Sequence, residues 1–323
     1  MKKSIRNGLF ALTGLTAGAV LFSNGLTRYM VRLALDREEP SRSLRMARRM
    51  EKEACRNPLY RQALEDGLAL EALPHQPIEI HAHDGELLVG HWFPAKHPKR
   101  IILAMHGWRS AWYRDFGGIA PFFAEADCSV LYAEQRGQNG STGDYMGFGM
   151  LERYDCLAWI HWLASTQSSL PIYLAGVSMG ATTVLMTTGF DLPTQVRGVI
   201  ADCGFTSAHA IWNHVCKAEL HLPYRLHRQN AERLCRQKIR MGTQDYSTIE
   251  ALQHCKVPVL LVHGLADDFV PPSMTYENFN ACISRRMLFT VPDAGHGMSW
   301  YVDSEGYKKQ LLALWHICET ADA

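Results

Sequence analysis

The segment Gly176-Val177-Ser178-Met179-Gly180 sets one serine between two glycines, after the apolar run 172–175 and before the helix-compatible stretch 181–188. That is the pattern of a strand turning sharply into a helix. Small neighbours are needed there because the backbone is strained and the helix passes close to the strand. The turn lifts the Ser178 hydroxyl clear of the strand and sets it near the positive end of the helix, where developing negative charge is favoured. A serine hydroxyl is a weak nucleophile until an imidazole takes its proton, and the imidazole works best when a carboxylate fixes its tautomer. Both partners follow downstream. Asp267 and Asp268 lie in the loop after the apolar run 257–263, and His296 lies in Asp293-Ala294-Gly295-His296-Gly297, after the run 288–291.

Each of these groups sits just past the carboxyl end of a predicted strand. In an open parallel sheet those ends share one edge, and ligands bind there. The rest of the chain supplies such a sheet. Strands are predicted at 101–105, 129–133, 172–175, 197–201, 257–263 and 287–291, alternating with helices near 112–126, 150–166, 179–189, 272–283 and 304–319. This rhythm argues a mostly parallel sheet with helices on both faces. Upstream, segments 78–83 and 86–93 flank Asp84-Gly85 and read as a hairpin. Residues 41–73 read as a polar-rich helical extension. Between Cys203 and Val257 about fifty residues stand where a short connection would suffice, with helical pieces near 208–219 and 225–240 divided by His221-Leu222-Pro223.

In these motifs and their order, the chain resembles serine hydrolases of the α/β-hydrolase superfamily, in the branch that also resembles the catalytic domains of prolyl-oligopeptidase-type peptidases. The likeness covers residues 76–320. It extends to His106-Gly107-Trp108 after the strand 101–105, which corresponds to the oxyanion-hole loop, and to Glu134-Gln135-Arg136-Gly137-Gln138-Asn139-Gly140-Ser141. Family members often carry Asp-x-Arg-Gly-x-Gly-x-Ser in the second segment, so Glu134 and Asn139 depart from the pattern in a loop that is usually structural. The resemblance implies an α/β-hydrolase fold with a short helical cap at about 205–250. It implies a triad of Ser178, Asp267 and His296, the spacing Asp-x-x-Val-Pro selecting Asp267 over Asp268. It also implies an oxyanion hole made by the backbone N–H groups of Trp108 and Met179. No metal and no organic cofactor is expected, because each charge the mechanism develops already has a protein partner.

Composition narrows the remaining classes. A chain of 323 residues, 47% hydrophobic, accommodates one large α/β domain (76–323) with appendages. A net charge of +1 leaves no footprint for nucleic acid. Nine scattered cysteines, an odd number with no two adjacent, read as buried thiols and favour a reducing compartment. His209, His214, His221 and His227 fall at intervals of five, seven and six residues, which give no facing pair for a zinc helix.

The amino-terminal segment 1–40 has a different character. Residues 8–22 carry no charge, and the first fifty residues hold ten Lys/Arg against three Asp/Glu. Arg28, Arg32, Arg37, Arg42, Arg45, Arg48 and Arg49 would suit an anionic surface, so the segment is read as a membrane attachment. A helix packed on the domain is one alternative, which would leave a cytoplasmic protein, and a cleaved signal peptide is the other.

Aromatic residues crowd the approach to Ser178, and Trp112, Tyr145 and Trp212 are the candidates for the substrate pocket. Such a pocket suits a small-molecule acyl or aryl ester. The first reading is therefore a carboxylic-ester hydrolase working through an acyl-enzyme. A peptidase, amidase or acyltransferase on the same triad comes second. A non-catalytic scaffold is disfavoured, since a retired site has no physical reason to keep all three residues.

Overall fold

The computed structural model describes residues 23–38, 57–167, 169–218 and 221–320. Residues 23–35 form helix α1. There follow α2 (Pro58–Glu71), β1 (Gln76–His81), β2 (Leu87–Phe93), β3 (Arg100–Met105), α3 (Trp112–Phe116), α4 (Ala120–Glu125), β4 (Cys128–Ala133), α5 (Glu152–Thr166), β5 (Ile172–Val177) and α6 (Met179–Thr187). The chain continues through β6 (Val196–Asp202), α7 (Ala208–Ala218), α8 (Arg228–Ile239), α9 (Thr248–Leu252), β7 (Val259–Gly264), α10 (Pro272–Ala281), β8 (Arg286–Val291), α11 (Ser299–Val302) and α12 (Ser304–Thr320).

The eight strands make one sheet in the order β1-β2-β4-β3-β5-β6-β7-β8. β2 pairs antiparallel with β1 and β4, and every other pairing is parallel. The central strands are continuous apolar runs because helices cover both faces. On one face Trp159 and Leu163 of α5 and Val184 and Leu185 of α6 pack over β3, β4 and β5. On the other, Phe116, Phe122 and Phe123 of α3 and α4 meet Leu311, Leu314 and Trp315 of α12. Wholly burying one such side chain stabilises the fold by about 1.5–3 kcal/mol. These two layers hold the carboxyl ends of β5, β6 and β7 in one fixed row.

Two expectations need correction. The single helix read over 112–126 is broken into α3 and α4 at Gly117-Gly118. A Cβ on Gly117 would collide with the backbone of Asp66 and Gly67 in α2, and one on Gly118 with Tyr301. The pair of glycines lets two other helices come in close, and the chain turns there. The second correction concerns the amino-terminal segment. Val31 and Leu35, each 1% exposed, are buried against a third apolar cluster that includes Phe148, Met179 and Trp212. The Arg37 guanidinium, assigned above to an anionic surface, donates instead to the carbonyls of Ser141 (2.5 Å) and Asn139 (2.8 Å). Residues 23–38 are therefore part of the folded domain. Among the described residues no helix is long and apolar enough to cross a membrane. The uncharged stretch 8–22 and the arginines at 42, 45, 48 and 49 lie outside the described residues.

The insertion after β6 consists of α7, a short 3-10 turn at Tyr224–Leu226, and α8. Its inner side contributes Ile211, Trp212, Cys216, Ala231 and Cys235 to the third cluster, together with α1. The four histidines of this region are not brought together. His214 meets the Asp268 carbonyl (3.2 Å), His227 meets Thr27 (2.8 Å), His209 packs on the Tyr224 ring, and His221 stands exposed. The eight cysteines among the described residues are all buried and free; Cys55 lies outside them.

Candidate active site

Ser178 stands on the turn between β5 and α6 with φ 55° and ψ −117°, a conformation that costs a non-glycine residue on the order of 1–3 kcal/mol. What holds it there is the close crossing of strand and helix. A Cβ on Gly176 would overlap the backbone of Gly180, and one on Gly180 would overlap the backbone of Met105 and His106. No other residue type fits either place. The Ser178 N–H donates to the Asp202 carbonyl at the end of β6 (2.8 Å), which fixes the turn from the neighbouring strand.

The loops after β7 and β8 bring the two partners to this turn. His296 Nε2 lies 2.9 Å from Ser178 Oγ, and His296 Nδ1 lies 2.7 Å from Asp267 Oδ2. The Nδ1–H therefore donates to the carboxylate, which leaves the Nε2 lone pair facing the hydroxyl. Asp267 is buried, whereas its neighbour Asp268 is exposed. Asp267 Oδ1 accepts from the backbone N–H groups of Phe269 and Val270, both at 2.9 Å. Burial alone would raise this carboxyl. Hydrogen bonds from His263 and His296, and the N–H of Val270, outweigh burial and hold it well below the usual carboxylate range.

His263 was not singled out in the sequence. It is fully buried on β7, and its Nε2 reaches Asp267 Oδ2 (3.2 Å) and the Val270 carbonyl (2.9 Å), while Nδ1 accepts from Thr275 (2.5 Å). The signal that could have revealed it is its place four residues before Asp267 in the loop at the end of the same strand. Phe269 completes this side of the site, its ring edge-on to His296 with centroids 5.0 Å apart.

The loop carrying His106, Gly107 and Trp108 abuts Ser178, since a Cβ on Gly107 would stand 3.3 Å from that of Ser178. The Gly107 N–H is already taken by Asp115 Oδ2 (2.6 Å), whose other oxygen accepts from the Ser110 hydroxyl (2.6 Å). The N–H groups of Trp108 and Met179 donate to no acceptor among the described residues. His106 is wholly buried, and burial holds its imidazole below the ordinary range. As a neutral ring it donates from Nδ1 to the Gly107 carbonyl (2.8 Å) and accepts at Nε2 from the Gln135 N–H (3.1 Å). The 134–141 loop thus braces the loop beside Ser178, and its two departures from the family pattern have work to do. Asn139 donates to the Ser110 carbonyl (2.9 Å), and Glu134 accepts from His91 (2.8 Å) and the Gly140 N–H (2.5 Å).

Of the three pocket candidates, Trp112 is misplaced. It is buried in the layer beneath the sheet with Phe93, Phe116 and Tyr132, stacked on the His91 ring at 4.3 Å. Tyr145 and Trp212 do belong to the third cluster, which reaches the site through Met179 and Val270. Trp212 meets Phe148 edge-on at 5.5 Å, and the Lys238 ammonium covers the Tyr145 ring at 4.5 Å. Cys203, Asp267 and His296 bring three possible metal donors within 4.8 Å of one another. Two of those donors are the ones hydrogen-bonded to each other in the relay, so an ion bound there would take the relay apart.

Asp202 is a second buried carboxyl near the site, accepting from Ser299 (3.1 Å). Burial pushes it up to about 6, opposed by the hydrogen bond from Ser299. Below its ordinary value of 3.8 the group is neutral whether the chain is folded or not, and it costs nothing. As the pH rises from about 4 to about 6, ionisation favours the unfolded chain, and above that the cost is complete. Two pKa units correspond to about 3 kcal/mol. Asp202→Asn is therefore expected to unfold at higher urea than wild type at pH 8 and to match it near pH 4. Equal midpoints at both pH values would show that Asp202 is not held near 6.

A nucleophile elbow, an imidazole and a buried carboxylate at the carboxyl edge of a mostly parallel sheet define a serine hydrolase with the α/β-hydrolase fold. The chain belongs to the prolyl oligopeptidase family, whose model matches residues 114–316 and so includes Ser178, Asp267 and His296. Among solved structures it is similar to the Pyrococcus furiosus esterase Pf2001, at 20% identity and a TM-score of 0.62, covering 76% of this chain and 93% of the esterase. Similar too is Est1E from Butyrivibrio proteoclasticus with ferulic acid bound (17% identity, TM-score 0.58, 74% and 99% covered). The acylaminoacyl peptidase of Pyrococcus horikoshii also matches (16% identity, TM-score 0.57), covering 79% of this chain and 43% of the peptidase. The uncharacterized protein YqkD of Bacillus subtilis is 24% identical over 190 residues, 58% of this chain, and the chain spans only 62% of that relative's length.

Proposed function

We propose that this protein hydrolyses carboxylic esters through an acyl-enzyme on Ser178. The observation that carries the proposal is the unbroken relay from Ser178 Oγ through His296 to Asp267, at 2.9 and 2.7 Å. Ser178 Oγ attacks the ester carbonyl while His296 Nε2 takes its proton, and Asp267 stabilises the imidazolium that forms. The oxyanion of the tetrahedral intermediate is received by the N–H groups of Trp108 and Met179, two donors beside Ser178 with no acceptor among the described residues. One such donor is worth about 3 kcal/mol of barrier lowering. His296 then returns the proton to the leaving alcohol, and in the second half-reaction it takes a proton from the water that releases the acid.

An ester is favoured by the surroundings of the serine. Phe148, Phe205, Trp212, Val270 and Met274 belong to the buried apolar cluster that also holds Met179, the residue after Ser178, and an acyl or aryl group suits that setting. The esterases named above are also covered almost end to end by their match to this chain. A peptidase or amidase activity is the second reading, and membership of the prolyl oligopeptidase family is what favours it. A fluorophosphonate probe competed by p-nitrophenyl esters and by aminoacyl p-nitroanilides tests both. Labelling of Ser178 suppressed by esters supports the first reading, and suppression by anilides alone would replace it with the second. Absence of labelling would refute both.

A further inference from the structure

Helix α1 ends beside the loop that carries Trp108, and the two exchange hydrogen bonds. The indole N–H of Trp108 donates to the Ala34 carbonyl (2.9 Å). The Arg109 guanidinium donates to the carbonyls of Asp36 (2.6 Å) and Leu33 (3.1 Å). Carbonyls in the last turn of a helix have no partner within the helix and carry the negative end of its dipole, so a cation and an indole N–H suit them. Arg109 itself is held at φ 50°, and its N–H is fixed by Gln138 (2.5 Å). A residue kept in that region needs surroundings that over-determine it. Here they come from a segment more than seventy residues away in sequence.

The same segment is tied down elsewhere. The Met146 N–H donates to the Leu35 carbonyl (2.7 Å) and the Arg37 N–H to the Asp144 carbonyl (2.9 Å). Lys238 of α8 pairs with Asp36 at 2.7 Å. The segment thus joins the cap to the loop beside Ser178.

We propose that residues 23–38 act as a strap that aims the Trp108 N–H at the oxyanion, with the side chains of Trp108 and Arg109 as positioning residues. The proposal rests on the hydrolase reading above. The strap leaves Ser178, His296 and Asp267 untouched, so slackening it should weaken transition-state binding and spare substrate binding.

The test uses the full chain. Trp108→Phe keeps an aromatic ring and the backbone N–H and removes the indole N–H that bonds the Ala34 carbonyl. Arg109→Met keeps the alkyl stem and removes the bonds to Leu33 and Asp36. Together they should lower kcat about ten- to a hundredfold, with KM changed by less than about twofold, as misplacing a catalytic group by an ångström does. The loss should be equal for acetate, butyrate and octanoate esters. Affinity for a trifluoromethyl ketone, which forms an oxyanion on the serine, should fall in the same ratio. Arg28→Gln, an exposed change on the same helix, should leave all of these values as they are.

A wild-type protein that hydrolyses esters, with variants of equal kcat, overturns the strap alone. So does a loss that appears in KM and varies with acyl length, since that would make the segment a pocket wall. A wild-type protein that neither hydrolyses esters nor labels at Ser178 overturns the hydrolase reading beneath it. Should the double variant fail to fold, Trp108→Phe alone decides the matter by its kcat and ketone affinity.

Discussion

Ser178→Ala is expected to lower ester turnover at least about a thousandfold while the protein stays folded. Among the described residues the hydroxyl has one side-chain partner, His296, and alanine keeps the same backbone strain, so the loss should fall on kcat and leave the unfolding midpoint in place. Ser178→Gly sharpens the point. Glycine adopts φ 55° without penalty, so it should be equally inactive yet more stable, by about 1 kcal/mol. The strain at this residue is then a cost borne for chemistry and not for the fold. Steady-state kinetics on p-nitrophenyl acetate with urea melts of all three proteins would check this. Near-wild-type turnover in either variant would remove Ser178 from the mechanism.

Asp267→Asn should be the next most damaging change, lowering kcat by about ten-thousandfold. The reason is visible in its contacts. The carboxylate accepts from four donors: His296 and His263 on one oxygen, the N–H groups of Phe269 and Val270 on the other. An amide has one acceptor oxygen, so whichever way it turns its NH2 must face donors. Either His296 loses its anchor or the loop loses its cap, and stability should fall along with rate. Asp268→Asn should change kcat less than about threefold, because that side chain is exposed and the residue offers only its carbonyl, to His214. The reverse ranking would move the acid by one position.

What was legible beforehand was what local chemistry dictates. A serine between glycines after an apolar run marks a strand-to-helix turn, because only glycine fits where Gly176 and Gly180 cross. The alternation of apolar runs with helical stretches placed β3 to β8 and the long helices within a few residues. What was not legible depends on distant parts of the chain. The glycines at 117 and 118 break a helix only because α2 and α11 arrive there. Trp112 looked like a pocket residue because it is aromatic and near Trp108, yet four residues are enough to put it on another face of the fold. Arg37 was counted as surface charge, since a count of charges cannot foresee carbonyls a hundred residues away. His263 and Asp115 were passed over because each gains its role from a partner in a different turn of the loop.

The place of His296 in the sheet has a thermal consequence. It follows β8, which among the described residues is the last strand and pairs with β7 alone, and which is exposed or half-buried along all but its final residue. Ser178 and Asp267 follow β5 and β7, whose residues are buried almost without exception. Edges of this kind open before a core melts. Warming should therefore detach the base while most of the sheet still stands. Ester hydrolysis would then fade, and return on cooling, at temperatures where circular dichroism still reports the native sheet.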